Sequence, residues 1–319
     1  MKTANSILEL IGKTSLIQLN RVSSGTKANV FAKCEFMNPS GSIKDRIALR
    51  MIEHAEKEGK LKPGYTIIEA STGNTGIALS FVGNLKGYKV RIYETIPGKM
   101  GRERVKIMEG YGAEVVLISP ETMRGIPEES VSGAEIELPG RLICKEIEEK
   151  ERGVWWARQF SNPQNVAAHN ETGREILAQI GGGVDVFVAA IGTGGTLMGI
   201  AEVLKKENPA TRVVGIQPAS SKIPIKVGEK YPSSDVMGGI ITEMLEEGLI
   251  DAIMTVEDSD AISMAHRLRR EEGVFAGISS GANVFTALKE AQTLGKNKNV
   301  VTVLPDSGDR YLTEEHFIT

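Results

Sequence analysis

Residues 38–46 read Asn-Pro-Ser-Gly-Ser-Ile-Lys-Asp-Arg and set a single lysine, Lys44, in the opening turn of a helix. Pro39 and Gly41 turn the chain, Ser42 with Asp45 matches a Ser-x-x-Asp capping box, and Ile47, Ala48, Met51, Ile52 and Ala55 recur at helical spacing. A cation at the positive end of a helix dipole is disfavoured, so a lysine there loses basicity. A lysine that is neutral part of the time can attack a carbonyl and form an imine. An ordinary surface lysine satisfies this motif equally well, and the rest of the chain must decide.

Three further turns are rich in glycine and hydroxyl residues. Gly192-Thr193-Gly194-Gly195-Thr196 follows an apolar strand and opens a helix, an arrangement in which several backbone N–H groups converge on one phosphate. It lacks the last glycine of the dinucleotide fingerprint and the lysine of a nucleotide P-loop, so a phosphate monoester fits it better than a dinucleotide or ATP. A tight connection with no ligand is the simpler alternative. Ser71-Thr72-Gly73-Asn74-Thr75-Gly76 stands in a similar place, and its hydroxyls with the helix N-terminal amides suit a carboxylate. Asn74 can both donate and accept, as a group beside a phenolic oxygen must. Gly277-Ile278-Ser279-Ser280-Gly281 again precedes a helix, and its serines alone read as caps.

The elements that must position these turns are those of an α/β protein. Short β-branched runs at 30–35, 66–70, 89–94, 114–118, 184–191, 212–217 and 300–304 alternate with amphipathic stretches at 44–60, 76–85, 101–111, 167–179, 196–207, 258–272 and 282–293. Parallel sheets bind ligands at the carboxyl ends of their strands, which is where Lys44 and all three turns fall. One cavity can thus hold an imine-forming lysine, a phosphate cradle and a carboxylate cradle. A cofactor bearing an aldehyde and a phosphate, acting on an amino acid, meets these demands, and that cofactor is pyridoxal 5′-phosphate. The stretch 121–151 carries Pro127, Pro139 and many acids and reads as irregular, which sets a lobe boundary near residue 150. This gives lobes of 1–150 and 151–319, the first residues to about 35 being able to pack on the second lobe.

Composition excludes several other classes. The chain has 319 residues, 25% charged and 41% hydrophobic, enough for two cores. A net charge of −3 gives no global attraction to nucleic acid or an anionic membrane. No apolar run reaches the ~20 residues that span a bilayer, and no apolar signal core opens the chain, so a cytoplasmic protein is expected. Cys34 and Cys144 show neither pairing nor metal-ligand spacing, and the four histidines are scattered, so no metal site is expected.

Over nearly its full length the chain resembles the fold-type II pyridoxal-phosphate enzymes of the cysteine synthase and cystathionine β-synthase family. The resemblance is carried by Ile11-Gly12-Lys13-Thr14-Ser15-Leu16, by 38–46 and 71–76, by Gln159-Phe160-Ser161-Asn162-Pro163, by 192–196 and 277–281, and by Gly308-Asp309-Arg310-Tyr311-Leu312. It implies a two-lobe three-layer αβα fold like that of the tryptophan synthase β-subunit, with mostly parallel sheets, assembled as a homodimer. It implies that Lys44 binds the cofactor as an imine and removes the substrate α-proton, and that residues 192–196 bind the cofactor phosphate. It implies that Asn74 meets the ring 3′-oxygen, that Ser279 meets the ring nitrogen, and that Ser71, Thr72, Gly73, Thr75 and Gln159 hold the substrate carboxylate.

The implied activity is β-replacement on an O-activated L-serine by sulfide or another sulfur donor, through an aminoacrylate, to give L-cysteine. Cystathionine formation or cysteine desulfhydration on the same scaffold is the alternative. A neutral Ser279 beside the ring nitrogen fits loss of a β-leaving group better than transamination. Within the family, 215–218, 220–224 and 308–310 look more like the B type of cysteine synthase than the A type. Ser15 and Thr72 depart from the usual proline and serine, and 121–141 does not follow the usual helix. Lys222, Lys226 and Lys230 could face an anionic substrate tail and Asp235 could polarise a water, but all four read more simply as solvated surface groups. His169 matches a structural position, and Trp155 and Trp156 read as core or lobe-interface residues.

Overall fold

The β-branched runs pair into two sheets in the computed structural model, which describes residues 3–94, 101–118, 136–221, 223–231, 236 and 238–318. The first half of the chain gives β1 (Leu16–Leu19), β2 (Asn29–Cys34), α1 (Lys44–Lys57), β3 (Thr66–Ala70), α2 (Asn74–Leu85), β4 (Lys89–Glu94), α3 (Arg102–Gly110), β5 (Glu114–Leu117), α4 (Leu138–Lys150) and β6 (Val154–Trp156). The second half gives α5 (Pro163–Ile180), β7 (Val186–Ala190), α6 (Gly195–Glu207), β8 (Arg212–Pro218), α7 (Gly239–Glu246), β9 (Ala252–Val256), α8 (Asp258–Arg267), α9 (Ile278–Thr293), β10 (Asn299–Leu304) and a last turn, α10 (Glu315–Ile318).

The larger sheet has the order β1-β2-β10-β7-β8-β9, parallel except at the antiparallel β1–β2 pair. The smaller has the order β5-β4-β3-β6 and is parallel throughout. Parallel strands covered on both faces read as continuous apolar runs, as in the Val-Phe-Val-Ala-Ala of β7. The larger sheet buries one face under α8 and α9 and the other under α5, α6 and α7. The smaller sheet packs α1 and α2 on one face and α4 on the other. This is the three-layer αβα arrangement in two lobes. The segment before residue 35 lies in the larger sheet, and β6, past residue 150, lies in the smaller one.

Local chemistry explains the element ends. Asn162 caps α5 by accepting the Gln164 N–H at 3.0 Å, and Pro163 takes the first helical position, where no amide partner is needed. Where α5 crosses α6, a Cβ on Gly199 would stand 2.3 Å from the Val166 carbonyl, so only glycine permits that approach.

Two of the sequence expectations need correction. The stretch before residue 151 is not irregular throughout, because 138–150 forms α4. Pro139 sits in its first turn, where proline is compatible with a helix, and Ile143, Cys144 and Ile147 turn toward the smaller sheet while Glu146, Glu149 and Lys150 face solvent. The strands β1, β6 and β9 and the helix α7 also went unread, since β1 and β6 are only four and three residues long and β9 lacks alternation. Residues 121–135, Lys222, Asp235 and Met237 lie outside the described residues.

Candidate active site

Strands β2, β3, β7 and β10 point their carboxyl ends at one cleft, and the loops leaving them carry Lys44, 71–76, 192–196 and Asp306. Lys44 is the first residue of α1. The Ser42–Asp45 capping box does not form. Ser42 Oγ accepts the Lys44 N–H at 3.3 Å, but the Asp45 carboxylate reaches back to the Ser40 N–H at 2.7 Å and to the Ser40 hydroxyl. The cause is tertiary: Ser42 bridges Asp306, and the Ile43 N–H bonds the Pro305 carbonyl at 2.8 Å, so the turn is drawn onto the end of β10. The pKa of Lys44 is lowered, as its place at a helix start suggested, yet the main cause is burial, opposed by the carboxylates of Glu137 and Asp306.

Lys44, Asn74, Gly192 and Thr193 form the shared wall of two adjoining cavities. The first is completed by Ser71, Thr72, Gly73, Thr75, Gln159, Phe160 and Glu137. The second is completed by Gly194, Thr196, Ser279 and the apolar side chains of Ile43, Ile191 and Val303, among others. Every site residue expected from the sequence lines one of these two spaces except Gly195. That residue is buried behind the cradle, where a Cβ would stand 2.1 Å from Asn165 Oδ1. Lys226 and Lys230 are exposed and line neither cavity, and Lys226 pairs with Glu229 at 3.2 Å.

In the first cavity the donors are tied together by side chains. Ser71 Oγ accepts the N–H groups of Gly73 at 3.2 Å and Gly76 at 2.9 Å, which shapes the loop. The Thr75 hydroxyl donates to Gln159 Oε1 at 2.5 Å, and the Gln159 amide donates to the Ala70 carbonyl at 3.0 Å. Behind them Glu69, buried in the core, accepts the Gln159 backbone N–H and the Trp156 indole N–H, each at 2.9 Å. Burial pushes the Glu69 carboxyl up to about 7 against these hydrogen bonds.

Asn74 is fixed at both ends. Its amide donates to Asp306 Oδ2 at 2.6 Å, and its oxygen accepts from Arg310 at 2.5 Å. Arg310 also donates to the Ser40 carbonyl, so one guanidinium joins the lysine turn to the asparagine loop.

In the second cavity the cradle is mainly backbone. The turn 192–196 leads into α6 at Gly195, and helix-opening amides have no partner within the helix. Nothing stands within 4 Å of where a Cβ of Gly192 would be, so a side chain there would project into open space that glycine leaves free. Asn165 donates to the Thr193 hydroxyl at 3.0 Å and to the Gln159 carbonyl at 2.8 Å, linking the two cavities from below. His169 is buried, its pKa held well below the usual value by desolvation first and by Lys44 and Arg46 second, and its Nε2 lies 3.2 Å from the Thr196 hydroxyl. It supports the cradle rather than facing it. Ser279 stands in the first turn of α9.

The residues at the site that the sequence did not assign include Glu137, Asp306 and Phe160, besides the apolar wall of the second cavity. Asp306 lies two residues before the Gly308-Asp309-Arg310 match and was within reach, whereas Glu137 gave no local signal. The donor set fits pyridoxal phosphate: a lysine of lowered basicity, an amide cradle with room beside Gly192, an oriented asparagine and a neutral serine. Fold and site together define a fold-type II enzyme built for that cofactor. The chain belongs to the pyridoxal-phosphate dependent enzyme family, whose profile matches residues 7–306. The cysteine synthase of Staphylococcus aureus (strain Mu50 / ATCC 700699) is 43% identical over 317 residues, covering 98% of this chain and 96% of that protein. Among solved structures, an O-ureido-L-serine synthase superposes with a TM-score of 0.85 at 36% identity, covering 99% of this chain and 96% of that one. The cysteine synthase of Entamoeba histolytica superposes with a TM-score of 0.83 at 32% identity, covering 100% and 92%.

Proposed function

We propose that this protein is a cysteine synthase, which replaces the β-substituent of O-acetyl-L-serine or O-phospho-L-serine with sulfide or another sulfur donor to give L-cysteine. The observation that carries the reading is Lys44, half-buried in the wall shared by a phosphate cradle and a carboxylate cradle, with full-length similarity to cysteine synthases in support. Pyridoxal phosphate, when bound, supplies an electron-withdrawing ring that makes the α-proton of an attached amino acid labile. Residues 192–196 would hold its phosphate, Asn74 its phenolic oxygen and Ser279 its ring nitrogen. Ser279 brings no negative charge, so nothing there favours a protonated ring, and prompt loss of a β-leaving group is favoured over long-lived carbanion chemistry.

The chain's own residues do the rest. Thr72, Thr75 and Gln159 orient the substrate carboxylate, and the Ser71 hydroxyl holds the loop in shape for them. Lys44, its basicity lowered by burial, moves the proton at the α-carbon. Assembly as a homodimer and residence in the cytoplasm are proposed on the family resemblance, to be tested by sedimentation and cell fractionation. Among the described residues no helix is long and apolar enough to cross a membrane.

Steady-state rates with O-acetylserine, O-phosphoserine, L-serine and L-cysteine as first substrates, with sulfide as acceptor, test the assignment. Cysteine formation from one of the two activated serines is expected. If none of the four shifts the cofactor absorbance, the assignment fails.

A further inference from the structure

The donors gathered at the end of β3 already hold a carboxylate, and it belongs to the protein. Glu137, the residue before α4, receives the Thr72 N–H at 2.7 Å and the Thr72 hydroxyl at 3.0 Å on Oε1, and the Gln159 side-chain amide at 2.9 Å on Oε2. The direction of that amide is set, because the Ala70 carbonyl can only accept and so takes the N–H₂ end that also faces Glu137, leaving Gln159 Oε1 to accept from Thr75. Thr72 and Gln159 are the groups assigned above to the substrate carboxylate. Glu137 is 7% exposed and lines the same cavity as Lys44. Burial raises its pKa, and the Thr72 hydrogen bonds with the charges of Arg141 and Lys44 act in the opposite direction. A buried acid costs free energy unless its oxygens are hydrogen-bonded, so Glu137 stays where these donors are.

We propose that Glu137 is an internal competitor for the substrate α-carboxylate, a specificity-determining residue that occupies the cradle until an amino acid displaces it. Two carboxylates cannot share these donors, since each donor already meets an oxygen of Glu137 and like charges brought into contact in a water-poor site repel. An amino acid brings a second attachment through its α-amino nitrogen and can displace the side chain. A simple carboxylic acid brings only its carboxylate and meets an equal already in place. The cradle is thereby closed to the abundant small carboxylates that its hydroxyls and amides would otherwise take. The inference rests on the carboxylate reading of 71–76 and Gln159.

An internal ligand divides the intrinsic Kd by the fraction of molecules with the cradle free, so a competitor bound nine-tenths of the time raises the apparent Kd about tenfold. The holoenzyme is titrated with L-serine, read as the shift in cofactor absorbance, alone and in competition with propionate. Glu137→Gln puts an N–H₂ against one set of donors, and Glu137→Ala removes the side chain. Both are expected to lower the Kd of L-serine about tenfold and to strengthen competition by propionate to a similar degree.

Unchanged or weaker L-serine binding in both variants overturns the proposal. In the Glu137→Ala background, Gln159→Ala is expected to weaken L-serine about tenfold, and by less when Glu137 is present, because there it loosens ligand and competitor together. No effect of Gln159→Ala in that background would refute the carboxylate reading and the inference with it. A clear effect without tightening by the Glu137 variants would leave the cradle standing and remove the competitor alone.

Discussion

The turn after β7 and the turn after β3 occupy equivalent places, each between a parallel strand and the helix that leaves it, yet they are made of different donors. Residues 192–196 offer chiefly backbone amides held by glycines, and the side chains around them point inward as props: Asn165 under Thr193, His169 under Thr196. Residues 71–76 offer hydroxyls and, with Gln159, a side-chain amide, and these are hydrogen-bonded to one another and to Glu137. A backbone cradle cannot rearrange without moving a helix, which suits a group that stays bound. A side-chain cradle can exchange one occupant for another by rotating χ angles, which suits a substrate that arrives and leaves. Resident and transient anions are thus separated by the kind of donor that meets them.

The most severe break falls on the lysine that both cradles share. Lys44→Ala is expected to lower turnover by at least the 10²–10⁴-fold typical of a lost general base, and to end the retention of cofactor through denaturing gel filtration that borohydride reduction of the holoenzyme should give in the wild type. Next is Gly195→Ala, which tests the rigid cradle. Its Cβ would press on the buried Asn165 side chain at 2.1 Å, and overpacking of this kind costs about 1–3 kcal/mol. Cofactor affinity, measured by fluorescence titration of the apoenzyme, should fall roughly 5- to 150-fold for that cost, with the KM of the amino acid moving less.

Ser71→Ala tests the exchangeable cradle. Two hydrogen bonds that shape the loop are lost, each worth about 0.5–1.5 kcal/mol, so the KM of the amino acid should rise roughly tenfold while cofactor affinity holds. If both variants shift both affinities equally, the contrast between the two turns fails.

The smallest effect concerns the frame beneath them. Arg46 of α1 pairs with Glu35 and Glu175, and Lys33 adds a second bond to Glu175 at 2.7 Å. Burial opposes ionisation of Glu175, but the Arg46 hydrogen bonds and charge and the Lys33 bond outweigh it and hold the carboxyl at about 2, below its ordinary 4.5. A folded-state pKa below the unfolded one gives stability that is present above about 4.5 and lost as pH falls toward about 2. Thermal melts should therefore show wild type above Glu175→Gln by a few degrees at pH 6, with the gap closing below pH 4. A gap independent of pH would show that Glu175 acts by packing rather than by charge.

What could be read from the sequence was local in the chain. The lysine turn and the three Gly/Ser/Thr turns announce themselves because the donors, the glycines and the helix that follows sit within a few residues of one another. The bonds that give these turns their chemistry run between distant residues and left no local trace. Thr72 meets Glu137 across 65 positions, and Asn74 meets Asp306 across 232. The lowered basicity of Lys44 was expected for a partial reason: the sequence shows a helix start, whereas burial, the larger cause, is a property of the assembled lobes. α4 was hidden because its proline and its dense charges resemble a loop until the smaller sheet gives its apolar side something to cover.

The position of β10 bears on how the active site is assembled. It is the last strand in the chain, yet it lies between β2 and β7 in the middle of the larger sheet. Because β10 pairs with β2 on one side and β7 on the other, it is the strand that joins β1 and β2 to the β7–β9 group, and such non-local pairing favours slow folding. The residues that follow β10 are also those that seat the lysine turn, through the bridge from Ser42 to Asp306 and the bond from the Ser307 N–H to the Gly41 carbonyl. The site of the lysine is therefore assembled from both halves of the chain, and Lys44 takes its place only when β10 has docked in the sheet.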